Sequence, residues 1–385
     1  MRFLLPILLV ALVPARALGY SQFIGFGYTS CLTCHYNANG NGPLNDYGRA
    51  LFASEIADRL LGPDNPGSDD ELVARSGFLG KNTLPAWWRP NIAYRGLNLY
   101  RSITRESSET RFIHMRVDTT QVFRLDESER FVAVVNFGYA PKPRNTGNIP
   151  QAQKTWISRE HYLRFRAAEP LHLYVGLADK VYGLRVPDHE AFARRYTFNA
   201  QNDQVHGVIA HYTSPPFEAS AQAFLGNLQQ DSDARQKGGA LLVEYELAEK
   251  ARVGLTGQYV TNDYVKLFSG AALARLGLGH GSAVLAELGT NRMTPTGMRS
   301  RTGLYFFLQP HMRIRRGLSV FATTEYYAPE LTASRSRFMR FGPGVMYFPF
   351  QRVELRAEAW NERSFDPETV RREDWSLLGQ VSIWL

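Results

Sequence analysis

The sequence predicts a mainly β protein, a transmembrane β-barrel of about 16 antiparallel strands preceded by a small helical unit. From Trp87 onward, segments of about 10 to 14 residues alternate apolar with polar side chains, as strands of a membrane barrel do. Turn-like clusters separate the segments, and short connections alternate loosely with long ones. The chain ends on a strand pattern, residues 374–385, whose penultimate residue is aromatic. We therefore expect residues 87–385 to form the barrel.

The first residues predict a secretory signal peptide. One arginine precedes an apolar run from Phe3 to about Val13, and small residues suited to cleavage follow within 15–19. The run is shorter than the roughly 20 apolar residues that a membrane-spanning helix needs. We therefore expect residues 1–19 to be removed and the mature protein to lie outside the cytoplasm.

Residues 20–86 are expected to form a small α-helical unit. Asn45 suits the N-cap of a helix whose apolar face holds Phe52, Ile56 and Leu60 and which ends at the Gly-Pro pair 62–63. A second helix is predicted after Ser68, which has capping-box spacing to Glu71. This unit is too small to bury a substantial core of its own.

The alternation also assigns a face to each strand residue. In residues 171–177, Leu173 and Val175 fall on the apolar face, while His172 and Tyr174 fall on the polar one. Residues 353–358 alternate in the same way. In residues 113–120, the pattern places Ile113, Met115 and Val117 toward lipid and His114, Arg116 and Asp118 toward the lumen.

The alternative fold is a large exported β-sandwich or propeller. The chain contains no repeated blade motif. About 16 long strands with one apolar face each would overfill the core of a sandwich. The pattern therefore favours a closed barrel whose apolar face meets lipid.

Composition excludes a disordered chain and gives the protein a basic balance. Hydrophobic residues make up 44% of the 385 residues, charged residues 21%, and the formal net charge is +8. An exported chain seldom meets nucleic acid, so we expect none as a partner. Lipid head groups of the outer membrane, haem propionates or another anionic solute are the partners that this charge favours, and a merely solvated surface is the alternative.

The only two cysteines of the chain lie in the stretch Cys31-Leu32-Thr33-Cys34-His35. This is the C-x-x-C-H pattern of covalent haem attachment. Two thiols one helical turn apart can each add to a haem vinyl group, and the adjacent imidazole can then reach the iron. A zinc site would need a further pair of ligands, and a thioredoxin-like redox pair would need an α/β context. A disulfide would close a loop too small to stabilise the fold much.

Residues 31–44 resemble the haem-attachment segment of c-type cytochromes, in which the histidine is followed by a glycine-rich stretch and a proline. Gly40, Gly42, Pro43 and Leu44 match that pattern loosely. The resemblance implies one covalent haem c in a monohaem domain spanning residues 20–86. It implies that Cys31 and Cys34 are the thioether anchors and that His35 is the axial ligand of the iron.

The barrel half resembles porins, and its last strand resembles the terminal strand of bacterial outer-membrane barrels. The terminal residue is Leu385, whereas an aromatic residue usually closes those barrels. The resemblance implies a location in the bacterial outer membrane, with the haem unit facing the periplasm.

The second axial ligand is not evident from the sequence. No methionine or histidine occurs between His35 and His114. The iron is therefore five-coordinate, bound by an unusual group, or completed by the barrel or another subunit. His114 is the nearest histidine and our candidate distal ligand, although it and His172 would also serve as polar residues lining a pore.

Two functions follow from this combination. The first is electron transfer at or across the outer membrane, with the haem at the periplasmic mouth or in the lumen and a periplasmic or multihaem cytochrome as partner. The alternative is a basic-lumen porin or transporter whose haem is a structural plug or a gas or redox sensor. A haem peroxidase would need a distal acid–base pair, for which the sequence gives no signal, so we expect no enzymatic activity.

Overall fold

The computed structural model describes residues 20–40, 42–58, 76–77, 84–103, 107–139, 156–332, 337–365 and 372–385. The predicted signal peptide, residues 1–19, lies outside this part of the chain. So does most of the segment after Ser68 for which a second helix is predicted. No helix among the described residues is long and apolar enough to cross a membrane.

Antiparallel strands form the body of the protein. In chain order they are β1 Trp88–Ile103, β2 Ser107–Arg124, β3 Phe131–Tyr139, β4 Trp156–Ile157 with His161–Ala168, β5 Leu171–Ala178, β6 Val205–Ser214, β7 Phe217–Gly226, β8 Lys237–Ala248, β9 Ala251–Thr261, β10 Val265–Gly279, β11 Ser282–Pro295, β12 Arg301–Arg315, β13 Leu318–Ala328, β14 Arg337–Phe350, β15 Val353–Phe365 and β16 Arg372–Trp384. Each strand pairs with its neighbours in sequence.

The sheet closes on itself. The first strand pairs with the last, with Ala93 opposite Trp384 and Ser102 opposite Trp375. The two pieces of β4 both pair with β3, so they are one strand interrupted at 158–160. The described strands therefore make a closed 16-stranded barrel, which confirms the prediction. Closure leaves no unpaired strand edge in the membrane.

The faces follow the predicted alternation over most of the barrel. Val175 and Leu355 point outward and are 57% and 43% exposed, whereas their neighbours Tyr174 and Glu354 point inward and are 3% exposed. Aromatic side chains lie on the outer surface near strand ends, where Phe137 and Trp156 stack with ring centroids 5.5 Å apart. An apolar outer face with aromatic residues near its rims is the pattern of a barrel that spans a membrane.

The face prediction for His114 is wrong. The pairing of β1 with β2 shifts register, so that Arg95 lies opposite Arg116 but Gly96 lies opposite His114. This β-bulge reverses the alternation of the residues before it. His114 is consequently exposed on the outer face, where its Nδ1 lies 3.0 Å from the Tyr94 hydroxyl. Beyond the bulge Val117 points outward and Asp118 inward, as predicted.

The described residues of the N-terminal segment, 20–58, pack inside the barrel. Helix α1, Asp46–Leu51, begins where predicted, because the Asn45 side chain accepts a hydrogen bond of 2.8 Å from the Gly48 N–H. It continues as a π-helical turn, Phe52–Ile56, and ends there rather than at residue 62. We call residues 20–58 the plug.

The plug is held at the barrel end that carries the short turns. Arg316, in the turn before β13, donates hydrogen bonds of 2.8 Å to the Ala53 carbonyl and 2.6 Å to the Ala57 carbonyl. Phe52 packs edge-on against Phe348 and Trp384 at centroid distances of 5.1 and 5.3 Å. Phe52, on the predicted apolar face of the helical unit, therefore packs against the barrel wall.

A long connection also folds into the lumen. Residues 179–204, which we call the inward loop, join β5 to β6 and contain the short helix α2, Phe192–Arg195. Apolar side chains of this loop are buried, among them Leu184, Val186 and Phe192. The plug and the inward loop together occupy the lumen.

Candidate functional site

A cavity of about 400 Å³ lies in the lumen between the plug and the inward loop. This volume falls within the roughly 300–1,000 Å³ typical of ligand and cofactor pockets. Cys31, Cys34 and His35 line it from the plug, and residues 183–187 and 189 line it from the inward loop. The structure thus brings the three residues of the C-x-x-C-H motif to the wall of one cavity inside the barrel.

The motif forms a tight helical turn. Residues Cys31–Thr33 are a 3-10 helix, and the amides of Cys34 and His35 both donate to the Cys31 carbonyl, at 3.2 and 3.0 Å. The backbone then reverses, so that His35 pairs with Leu44 as an antiparallel bridge. Both cysteines are free thiols. Two thiols and an imidazole on one turn is the donor arrangement that covalent haem attachment requires.

Two glycines allow this turn to pack closely. A Cβ atom on Gly48 would lie 2.4 Å from the Cys34 carbonyl oxygen, so helix α1 can approach the turn only because residue 48 has no side chain. Gly40 has a φ of +71°, and a Cβ there would lie 3.3 Å from the Cys31 sulfur. The glycine-rich stretch after the motif therefore shapes the space around the sulfur atom.

Burial governs the chemistry of the two thiols. It raises the pKa of Cys34 to about 11 and also raises the pKa of Cys31, because a thiolate loses solvation in the lumen. The guanidinium of Arg275, whose Nη1 lies 3.8 Å from the Cys31 sulfur, opposes that shift. At neutral pH both thiols are therefore protonated rather than reactive anions.

Arg275 belongs to a row of ion pairs on the inner face of the barrel wall. Its Nη2 lies 2.5 Å from a Glu244 carboxylate oxygen, and Arg252 contacts both Glu244 and Glu218. Each buried charge in this row has an opposite charge beside it, which offsets the cost of its desolvation. Glu218, Glu244, Arg252 and Arg275 thus connect the plug near Cys31 to strands β7 to β10.

A second set of contacts holds the other end of the plug turn. The Ser220 hydroxyl lies 3.1 Å from Asn39 Oδ1 and 2.8 Å from His211 Nδ1. The Tyr174 hydroxyl lies 3.5 Å from the Tyr36 carbonyl. Tyr36 itself is fully buried. Polar groups of the lumen wall therefore fix the loop that follows His35.

Arginines dominate the charged lining of the cavity. Some are already paired: Arg116 and Arg159 both contact the Asp118 carboxylate, and Arg185 lies 3.6 Å from Asp179. Guanidinium groups bind carboxylates and phosphates through paired hydrogen bonds. The arginines that line the cavity are Arg49, Arg95, Arg116, Arg159, Arg185, Arg194 and Arg275.

The sequence predicted the cavity-lining residues of the plug but not those of the inward loop. His114 lies on the outer face and does not reach the cavity, and His172, although inward-facing as predicted, is buried 6.4 Å from the His211 ring rather than at the cavity. His189 of the inward loop lines the cavity and was missed. Burial lowers the pKa of His189, which keeps its imidazole neutral at neutral pH. The only feature of the inward loop that was evident in the sequence is its length.

The residues present fit a covalently bound haem. They supply two thiols for the vinyl groups, an imidazole beside the second thiol, apolar walls, and guanidinium groups suited to propionates. Among the described residues, no cluster of three or more histidine, cysteine, aspartate or glutamate side chains is arranged to hold a metal ion by itself.

Solved structures with the same fold are porins and related outer-membrane proteins. A loop-deletion mutant of OmpT from Vibrio cholerae is 11% identical, covers 77% of this chain and 99% of its own, and has a TM-score of 0.59. An anion-selective porin from Comamonas acidovorans is 10% identical over 77% of this chain and 99% of its own, with a TM-score of 0.55. OmpF of Salmonella typhi, solved with daunomycin, is 10% identical over 77% of this chain and 97% of its own, with a TM-score of 0.57.

These similarities establish a porin-like barrel fold and nothing finer. No protein-family model matches the chain, and no curated protein matches it.

Proposed function

We propose that this protein is an outer-membrane barrel that holds one covalently attached haem inside its lumen and passes electrons through it. The observation that supports this proposal is the position of the C-x-x-C-H turn, whose two cysteines and histidine line a cavity within the barrel. A haem attached there would supply an iron that accepts and releases one electron.

The chain's own residues would have three tasks. Cys31 and Cys34 would hold the group covalently so that it is not lost to the aqueous medium, and His35 would bind its iron. Guanidinium groups of the cavity would attract its propionates. The closed barrel separates the site from lipid.

The plug side faces the electron donor in this account. Short turns mark the periplasmic end of an outer-membrane barrel, and the plug is seated at that end. A periplasmic or multihaem cytochrome is therefore the partner that we propose. Because the site lies within the lumen, it shortens the distance across the apolar band, which is about 25 Å tall in such barrels.

Electron passage can be measured in lipid vesicles. Purified protein is inserted into vesicles that contain oxidised methyl viologen, and dithionite is added outside. We expect rapid reduction of the trapped dye with the haem-loaded protein and only background reduction with the folded Cys31→Ser, Cys34→Ser variant. Equal rates for the two proteins would contradict electron transfer through the haem.

A second function is favoured by two other observations. The similar solved structures are porins, one of them anion-selective, and arginines line the cavity. In this alternative the plug closes a basic channel for anions, and the haem holds the plug in place or reports on redox state or a gas.

Conductance separates the two candidates. Single-channel recordings in planar bilayers should show a closed barrel at all potentials if electron transfer is the function. Openings that admit chloride and that increase in the Cys31→Ser, Cys34→Ser variant would favour the plugged porin instead. Entry of dithionite through such a channel would also be revealed by loss of trapped chloride from the vesicles.

A further inference from the structure

We propose that His189 of the inward loop is the second axial ligand of the haem iron, so that the iron links the plug to the barrel. This inference rests on the proposed attachment of haem at Cys31 and Cys34. Among the described residues, the cavity is lined by two imidazoles, His35 from the plug and His189 from the loop, and by no methionine. Imidazole and thioether are the usual partners of a histidine-ligated haem in electron transfer.

The other histidines are engaged elsewhere. His161 and His206 face each other with 3.0 Å between their Nε2 atoms, and His311 stacks on Phe321 at a centroid distance of 5.5 Å. His280 lies in the tight turn between β10 and β11. The remaining histidines that do not line the cavity are His114, His172 and His211, of which the first points outward and the others are buried in the barrel wall.

The loop on both sides of His189 is fixed to the barrel wall. The Leu184 amide donates to a Glu287 carboxylate oxygen at 2.7 Å, before the histidine. After it, the Phe192 amide donates to Glu325 at 2.8 Å. The wall thus holds the backbone at two points eight residues apart, with His189 between them.

The neighbouring residue is fixed as well. The Asp188 carboxylate lies 2.7 Å from Arg340, whose guanidinium also pairs with Glu325 at 2.5 Å. Within the loop, Arg194 donates to the Val186 carbonyl at 2.7 Å. A ligand on a backbone held in this way loses little conformational freedom when it binds, which favours binding.

The imidazole of His189 remains accessible from the cavity. Its side chain is 22% exposed, and its Nε2 lies 3.6 Å from the Glu190 carboxylate, longer than a hydrogen bond. Coordination of an iron by this nitrogen would therefore break no hydrogen bond to Glu190.

The missing ligand in the plug has a physical explanation on this account. The plug contains no histidine or methionine after His35, so it cannot supply a second histidine or methionine ligand to the iron. A ligand of that kind must come from the barrel or its loops. Coordination would then join two elements that are 154 residues apart in sequence, positions 35 and 189. Haem binding would stabilise the closed arrangement of the lumen in addition to supplying redox chemistry.

The test uses the full-length, haem-loaded protein and its spectra. We expect a low-spin, six-coordinate haem in the wild type that does not bind carbon monoxide readily when reduced. His189→Ala should become high-spin, should bind carbon monoxide, and should return to low spin when imidazole is added. His114→Ala, a histidine on the outer face, is the matched control and should keep the wild-type spectrum.

The outcomes separate this inference from the proposed function. A wild-type protein without covalent haem on a denaturing gel would overturn both. A haem-loaded wild type that is already high-spin, or a His189→Ala variant that stays low-spin, would overturn the ligand assignment alone.

If His189→Ala does not fold, His189→Met provides a second test. A thioether in place of imidazole should keep the haem low-spin and raise its reduction potential, because histidine–methionine ligation favours the reduced iron. An unchanged potential in a folded, haem-loaded His189→Met protein would contradict the assignment.

Discussion

Buried ion pairs connect neighbouring strands on the inner face of the barrel, and Asp118 is one example. Its side chain is fully buried and contacts the guanidinium groups of Arg116 and Arg159. Arg159 also donates to the Tyr139 carbonyl at 2.8 Å, which ties β2, β3 and β4 to one another. Two guanidinium groups so close together in a buried site depend on the carboxylate between them.

We predict that Asp118→Asn destabilises the barrel by about 3–5 kcal/mol, because it leaves two buried arginines without their counter-charge. The measurement is the free energy of unfolding in denaturant, followed by tryptophan fluorescence in detergent. Glu109→Gln is the control, since Glu109 and Arg111 are partly exposed and 3.8 Å apart and such pairs contribute less than about 1 kcal/mol. Equal losses in the two variants would contradict this account of Asp118.

At the same scale, the motif residues can be recognised in the sequence, whereas His189, which we propose as the second ligand, cannot. Cys31, Cys34 and His35 are adjacent, so their chemistry can be recognised without knowing the fold. His114 was misplaced because a single β-bulge reverses the faces of the residues before it, and alternation alone does not reveal a bulge. His189 lies in a connection without periodicity, so its direction depends on contacts with distant strands.

At the scale of elements, the plug depends on the close approach of helix α1 to the C-x-x-C-H turn. Gly48 lies on the helix face that meets the turn. The turn, the helix and the barrel wall are mutually packed, since Phe52 on the same helix contacts β14 and β16. A side chain inserted between helix and turn would therefore displace the two thiols from the cavity.

We predict that Gly48→Ala lowers the fraction of haem-loaded protein and destabilises the plug by about 1–3 kcal/mol, the usual cost of overpacking. Alanine normally favours a helix over glycine by about 1 kcal/mol, so the expected sign is opposite to that of helix propensity. The ratio of haem absorbance to protein absorbance measures the loading. Gly379→Ala in β16 is the control, because an added Cβ there meets no atom within 4 Å. Full loading of Gly48→Ala would show that the close packing is not required.

For the whole molecule, the barrel was predictable because its pattern is imposed on every strand. Each strand has lipid on one side and the lumen on the other, so alternation repeats from residue 88 to residue 384. The position of the plug was not predictable in this way. It rests on contacts such as that between Cys31 and Arg275, which are 244 residues apart. The apolar face holding Phe52 and Ile56 was predicted, but its contacts with the barrel wall could not be read from the sequence.

We propose that the C-x-x-C-H turn carries one covalent haem inside a folded barrel. Intact mass spectrometry of the protein, produced with a cytochrome c maturation system and extracted from outer membranes, tests it most directly. We predict a mass increase equal to one haem per chain, lost in the Cys31→Ser, Cys34→Ser variant while the barrel still resists denaturation in detergent at room temperature. If the folded wild-type barrel is extracted from outer membranes with both thiols unmodified, the proposed haem attachment is contradicted.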